Sequence, residues 1–241
     1  MDDATLRARA QAALVAHTRL LATHGGSLVE QDGWIACVLP HAPRSSILNC
    51  VVGEPDVERA HAVYARAGVE KWGVWTDSKD VAAAQRLEAA GLTLDSVPVV
   101  MGVELEAMEL DHAPATQPVD MRALGAINDR AYGYEDGRLE QTLAALPATA
   151  VDPHAVYEDG EPVAVTFVLD VDDDASVGWV ATLPKARRKG LASGVIRAAL
   201  RNARQRGRTS TTLWASAMGA PVYERLGYRT LGHVHLWERR P

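Results

Sequence analysis

The stretch Val180-Ala181-Thr182-Leu183-Pro184-Lys185-Ala186-Arg187-Arg188-Lys189-Gly190-Leu191-Ala192 decides the fold. An apolar, strand-like run ends at Pro184, a basic loop with one glycine follows, and Ser193 to Arg206 reads as a long Ala/Arg helix stopped by Gly207. A glycine-containing loop at a helix start aims several unpaired backbone N–H groups at one point, and the helix dipole adds partial positive charge there. Strand, loop and helix together make an anion site suited to a pyrophosphate. Next come a strand, Thr211 to Ala215, and the run Gly219-Ala220-Pro221-Val222-Tyr223-Glu224-Arg225-Leu226-Gly227-Tyr228.

Reading outward, residues 3 to 23 carry helical periodicity through Leu6, Ala10, Leu14, His17 and Leu21. Short strands are predicted at Ser27 to Glu30, Trp34 to Leu39 and Ile47 to Val52. A helix over Pro55 to Ala67, a strand at Trp72 to Trp75, a helix over Val81 to Ala90 and a strand at Val99 to Leu105 follow. The second half gives helices around Met121 to Ala131 and Leu139 to Leu146, then strands at His154 to Glu158, Pro162 to Val171 and Ser176 to Ala181. Asp172, Asp173 and Asp174 read as a hairpin turn.

The end of the first half repeats the end of the second: Leu87-Glu88-Ala89-Ala90-Gly91-Leu92 aligns with Tyr223-Glu224-Arg225-Leu226-Gly227-Tyr228. Where the second half carries its basic loop, the first has Gly53-Glu54-Pro55-Asp56. Two acids there repel a pyrophosphate and Pro55 lacks an N–H donor. The length of 241 residues accommodates two domains, here 1–108 and 119–241, with 109–118 and its Pro114 and Pro118 as the linker.

Composition excludes several classes. No run approaches the ~18 apolar residues that cross a bilayer, so no membrane role is expected. The acidic start Met1-Asp2-Asp3 lacks a basic segment leading into an apolar one, and a cytoplasmic protein is expected. Cys37 and Cys50 are the two cysteines; both sit in apolar strand-like contexts, read as buried free thiols, and no metal-ligand spacing occurs. Charge is divided unevenly, with 13 of the 25 Lys/Arg but only two of the 31 Asp/Glu after residue 178. A basic C-terminal segment fits a ligand with several phosphates or a nucleic acid. The cations 197, 201, 204, 206 and 208 lie on one helix and its end as a solvated face, so nucleic acid is not the expected partner.

The spacing Arg187-x-x-Gly190-x-Ala192 resembles the acyl-coenzyme A loop of the GNAT superfamily of N-acetyltransferases, and Tyr223-x-x-x-Gly227-Tyr228 resembles the helix end that follows it in that family. The resemblance covers residues 119 to 241. It implies an α/β fold with a mixed sheet and, given the internal repeat, two tandem GNAT-like acyltransferase domains of which 1–108 is a degenerate copy. It further implies acetyl-CoA as co-substrate, no metal, and a small-molecule or peptide amine as acceptor. Backbone N–H groups of Arg188, Gly190 and Ala192 would hold phosphates, with Arg187, Lys189, Leu191 and Ser193 completing the loop. The edge of Trp179, Val180, Ala181 and Thr182 would run along the pantetheine arm and thioester. Tyr223 would protonate the departing thiolate, and Ser216 stands where relatives carry a cofactor-bonding Asn.

For the acceptor, Tyr134, Glu135 and Asp136 form a loop that would border the site and bind an ammonium or relay its proton; the same acids also read as solvent-facing. The strand Ser176 to Thr182 offers no carboxylate, so no general base is assigned, and His154, His233 and His235 are read as structural or exposed. The absence of an activated nucleophile implies direct attack by the amine. The rival reading is a non-catalytic acyl-CoA binding or sensing protein. The resemblance leaves acceptor identity, acyl length and oligomeric state open.

Overall fold

A computed structural model describes residues 1–111 and 113–241; His112, inside the expected linker, lies outside the described residues. In chain order the elements are α1 (Asp3–Gly25), β1 (Ser27–Gln31), β2 (Trp34–Val38), β3 (Cys50–Gly53), α2 (Val57–Arg66), β4 (Trp72–Asp77), α3 (Val81–Ala89), β5 (Thr93–Ser96) and β6 (Val99–Glu104). Then follow α4 (Met121–Tyr132), α5 (Arg138–Ala144), β7 (Asp152–Glu158), β8 (Glu161–Val171), β9 (Asp174–Thr182), α6 (Leu191–Gln205), β10 (Ser210–Ala215), α7 (Ala220–Glu224) and β11 (Arg229–Arg239). The fold is mixed α/β. Among the described residues no helix is long and apolar enough to cross a membrane.

The chain divides into two compact units, Met1–Ala13 with Val100–Leu231, and Leu14–Val99 with Gly232–Pro241. In the latter, β1, β2 and β3 pair antiparallel in turn, β3 pairs β4 in parallel, and β4 pairs the end of β11 antiparallel. Its core gathers Trp34, Tyr64, Trp72, Leu87, Leu92 and Trp237, with the Tyr64 and Trp72 rings stacked at 4.9 Å. The Asp56 carboxylate caps α2 by accepting from the Arg59 N–H at 3.1 Å, so this helix start carries its own anion. Cys37 and Cys50 are buried free thiols, as expected. One expectation is corrected here, and one strand was not predicted. The strand predicted from Ile47 begins at Cys50, because Asn49 is buried and bonds the Leu39 N–H and the Ala42 carbonyl, which holds the preceding residues in turns. Strand β5, whose Thr93, Leu94 and Asp95 are all exposed, lacked the apolar alternation that identifies a strand.

In the other unit the strand order is β6-β10-β9-β8-β7. Strands β7 and β8 form a hairpin over Asp159-Gly160, both with positive φ, as the right-handed strand twist requires of a two-residue turn. Strand β8 returns to β9 through Asp172-Asp173. Asp174 is not a turn residue, which corrects the three-residue expectation: it pairs with Val171, is 1% exposed, and accepts from Ser210 Oγ at 2.5 Å and Thr212 Oγ1 at 2.6 Å. Helix α6 buries Val195, Ile196, Ala199, Leu200 and Ala203 against β7, β8 and β9, leaving its arginines outward. Helix α4 buries Met121, Leu124 and Ile127 and packs on the same strands.

Candidate active site

Strand β9 is bonded on one flank and open on the other. Its parallel ladder with β10 joins Ser210 to Asp174, Thr211 to Ala175 and Thr212 to Ser176, and goes no further. Val177 to Thr182 therefore keep β8 as their sheet neighbour while β10 parts from them. On the β8 side, Phe167 opposes Gly178 and Val165 opposes Ala181, so two residues of β9, Trp179 and Val180, face the single Thr166. This is a β-bulge, and Trp179 adopts a φ of +52° inside it. Val180 and Thr182 are half-buried and Ala181 is buried; the Thr182 hydroxyl is buried without a hydrogen-bond partner among the described residues.

Past Leu183 a short turn, Pro184–Ala186, leads into the basic loop, where Arg188 and Gly190 have φ of +64° and +77°. Helix α6 then starts at Leu191 with no side chain capping it, leaving Leu191, Ala192 and Ser193, all half-buried, as its first turn. The three cations of the loop have different partners. The Arg187 guanidinium donates to the Thr182 carbonyl at 3.2 Å and the Ala131 carbonyl at 2.8 Å, tying the loop to the end of α4. Lys189 pairs with Glu158 at 3.0 Å. Arg188 is exposed and has no polar partner among the described residues.

Helix α4 ends at Gly133, whose φ of +75° turns the chain into the acidic loop. Asp136 is held by Arg138 through Nη2 at 2.7 Å and Nε at 2.8 Å, which lowers its carboxyl below the usual range, and the same guanidinium lies 4.6 Å over the Tyr134 ring. Glu135 is exposed and uncommitted among the described residues. Tyr223, on α7, packs edge-on against Tyr228 with ring centroids 5.7 Å apart. Burial and the nearby Tyr132 phenol push its ionisation up, and its hydroxyl makes no hydrogen bond among the described residues. Ser216 is spent locally, its Oγ accepting from the Gly219 N–H at 3.1 Å.

Residues 174–231 match the model of the acetyltransferase (GNAT) domain. The matched GNAT segment contains the open strand edge, the basic loop, α6 and Tyr223, and it stops short of α4. Solved structures of similar fold include a GCN5-related N-acetyltransferase from Kribbella flavida, at 19% identity over 96% of each chain with a TM-score of 0.69. A GCN5-related N-acetyltransferase from Sphaerobacter thermophilus is 15% identical, covering 97% of this chain and 94% of that one with a TM-score of 0.65. A tandem GNAT protein from the clavulanic acid biosynthesis pathway is 13% identical, covering 75% and 67%, with a TM-score of 0.57. These likenesses are of fold. No curated protein matches the chain in sequence.

Outside the GNAT segment, α4 contributes residues that sequence reading did not assign. Asn128, 0% exposed, donates from Nδ2 to the Leu124 carbonyl at 3.0 Å and the Trp179 carbonyl at 3.1 Å. Tyr132 donates to the Val180 carbonyl at 2.9 Å. The available signal was Asn128 itself, an amide four residues after Leu124 on the apolar face of an amphipathic helix.

Proposed function

We propose that this chain is an acetyl-CoA dependent N-acetyltransferase that moves an acetyl group to a primary amine of a small molecule or peptide. The observation that carries the reading is the parting of β10 from β9 after Thr212 and Ser176, which leaves a bulged strand edge leading directly to an uncapped helix start. Buried ladder groups without a strand partner require another one, and an extended pantetheine arm with its two amides supplies it. The orphaned Thr182 hydroxyl fits the same donor.

In this reading the N–H groups of Arg188, Gly190 and Ala192 hold the diphosphate and Arg188 adds its free charge, while Arg187 and Lys189 act through the loop's backbone because their side chains are already bonded. The edge of Val180, Ala181 and Thr182 aligns the thioester, with Leu191 and Ser193 lining the loop's end and Ser216 shaping the turn before α7. Tyr223 gives its proton to the sulfur as the C–S bond breaks and the amine nitrogen bonds the carbonyl carbon; the proton that the nitrogen sheds passes to solvent, and solvent reprotonates the phenolate. Direct attack is supported by the chain's thiols: Cys50 is buried with its ionisation pushed up to about 11, and Cys37 higher still, so neither serves as a nucleophile. Of the acidic loop, Glu135 rather than Asp136 is the carboxylate open to a cationic acceptor beside Tyr134, since Asp136 is neutralised by Arg138.

The first half, residues 1–108, is on this reading a degenerate copy of the second. Support comes from element order. Parallel strands β3 and β4 flank α2, and α3 ends on Gly91 at φ +80°; parallel strands β9 and β10 flank α6, and α7 ends near Gly227 at φ +97°. The Asp56 cap on α2 occupies the anion position.

Thermal unfolding with acetyl-CoA tests the donor site. A ligand at 100 times its Kd stabilises the folded state by about 2.7 kcal/mol, so wild type is expected to melt higher with donor. Gly190→Glu places a carboxylate in the loop and is expected to melt at one temperature with or without it. A wild type unmoved by saturating donor refutes the reading.

A further inference from the structure

The β9 bulge is costly, and α4 maintains it. A bulky residue with positive φ, such as Trp179 at +52°, is strained. The bulge also withdraws carbonyls from the ladder. Each is matched by a side chain: Thr166 Oγ1 donates to the Gly178 carbonyl at 3.0 Å, Asn128 Nδ2 to Trp179 at 3.1 Å, and the Tyr132 hydroxyl to Val180 at 2.9 Å. Asn128 and Tyr132 are four residues apart on α4, hence on one face, and they take two consecutive carbonyls.

Asn128 can face those carbonyls only with its amide nitrogen, which bonds Leu124 as well, and its Oδ1 is left buried with no hydrogen-bond partner among the described residues. An orphaned buried acceptor is costly, and the two hydrogen bonds of the amide nitrogen offset it. The amide nitrogen thereby fixes the strand beside it. In a planar trans peptide the C=O and N–H point to opposite sides. With the Trp179 and Val180 carbonyls turned to α4, the N–H groups of Val180 and Ala181 turn away from it, and a bulge of two residues against one leaves one residue without a ladder partner.

We infer that Asn128 and Tyr132 are positioning residues that clamp the β9 bulge and aim its free amide N–H at the carbonyl of a bound thioester. The inference rests on the donor site proposed above. It makes a distinction that simple structural support does not: the clamp matters for acetyl-CoA, which carries the thioester carbonyl, and not for free CoA, which lacks it.

Tyr132→Phe is the variant of choice, because the ring stays and Tyr132 is 52% exposed. Tyr157→Phe is the control, deleting a hydroxyl that bonds a different backbone carbonyl, that of Pro118 at 3.3 Å. Two quantities are read by calorimetric titration and hydrogen exchange: the Kd values for acetyl-CoA and CoA, and the exchange of residues 177–183 without ligand. In Tyr132→Phe the acetyl-CoA Kd is expected to rise about tenfold and the CoA Kd to change less than about twofold, the scale of one lost hydrogen bond. Exchange over 177–183 is expected to quicken about tenfold on the same ground, with Tyr157→Phe matching wild type. Equal weakening of both ligands overturns the inference, as does unchanged binding. A wild type that binds neither ligand removes the donor-site reading and the aiming of the amide with it; exchange then decides the clamp alone, faster exchange supporting it and unchanged exchange overturning it.

Discussion

At the scale of the residue, Tyr223 carries the sharpest expectation. Its phenol is held above its ordinary ionisation by burial and by Tyr132, so it remains a proton donor throughout the neutral and mildly alkaline range. Tyr223→Phe is expected to leave acetyl-CoA affinity within about twofold while acetyl transfer falls about a hundredfold, the lower end for loss of a general acid. Steady-state rates and donor titration on one preparation check both. For the same reason the wild-type rate carries no falling limb from Tyr223 below its unperturbed value near pH 10; such a limb that vanished in Tyr223→Phe would contradict the assignment. The register that singles out Tyr223, four residues before Gly227, was legible in sequence. Tyr132 was not, because its role depends on a carbonyl 48 residues away.

At the scale of the element, α4 and α5 show why local signals were incomplete. Helix α4 starts on a cap that sequence displays, Asp120 accepting from the Ala123 N–H at 2.8 Å. Helix α5 starts at Gly137 with no side chain of its own, and its first N–H groups are satisfied instead by Asp129 of α4, bonded to Leu139 at 3.1 Å and Glu140 at 2.8 Å. Asp129→Ala is expected to cost about 1–2 kcal/mol, the ordinary worth of a cap, measured by urea unfolding. The two helices also touch closely at Gly125, where a Cβ would fall 2.4 Å from the Leu139 carbonyl oxygen. Gly125→Ala is expected to destabilise by about 1–3 kcal/mol through overpacking, although alanine is the better helix former. A stabilised variant would show that α4 and α5 can separate at no cost. Strand β9 makes the same point: its apolar run reads as an ordinary strand, and only pairing with β8 creates a bulge.

At the scale of the whole molecule, the charge asymmetry of the sequence is largely consumed internally. Along and just after α6, Arg204 pairs with Asp111 at 3.6 Å, Arg206 with Asp152 and Asp170, and Arg197 donates to the Glu109 carbonyl. The basic helix answers acids that lie between Asp111 and Asp170. A pH dependence belongs to this scale too. Burial pushes His17 down to about 4, so the unfolded chain binds a proton there before the folded one does. Its contribution is fully present above the unfolded value of about 6.5 and is lost as pH falls toward 4, roughly 3 kcal/mol in all. Comparing wild type with His17→Gln by urea unfolding at pH 7 and pH 4 isolates this group, and the difference between the two proteins is expected to move by about 3 kcal/mol in favour of the variant at the lower pH; an unchanged difference refutes it. The sequence by itself determined what short-range chemistry controls: helix and strand periods, the hairpin turn at Asp172-Asp173, the glycine loop at the head of α6, and the spacing to Tyr223. Tertiary structure alone decided which of those groups stay free. Among the described residues Arg187, Lys189, Asp136 and Ser216 found partners, Arg188, Glu135 and the Tyr223 hydroxyl did not, and α4 reached the β9 bulge, because hydrogen-bond satisfaction depends on neighbours distant in the chain.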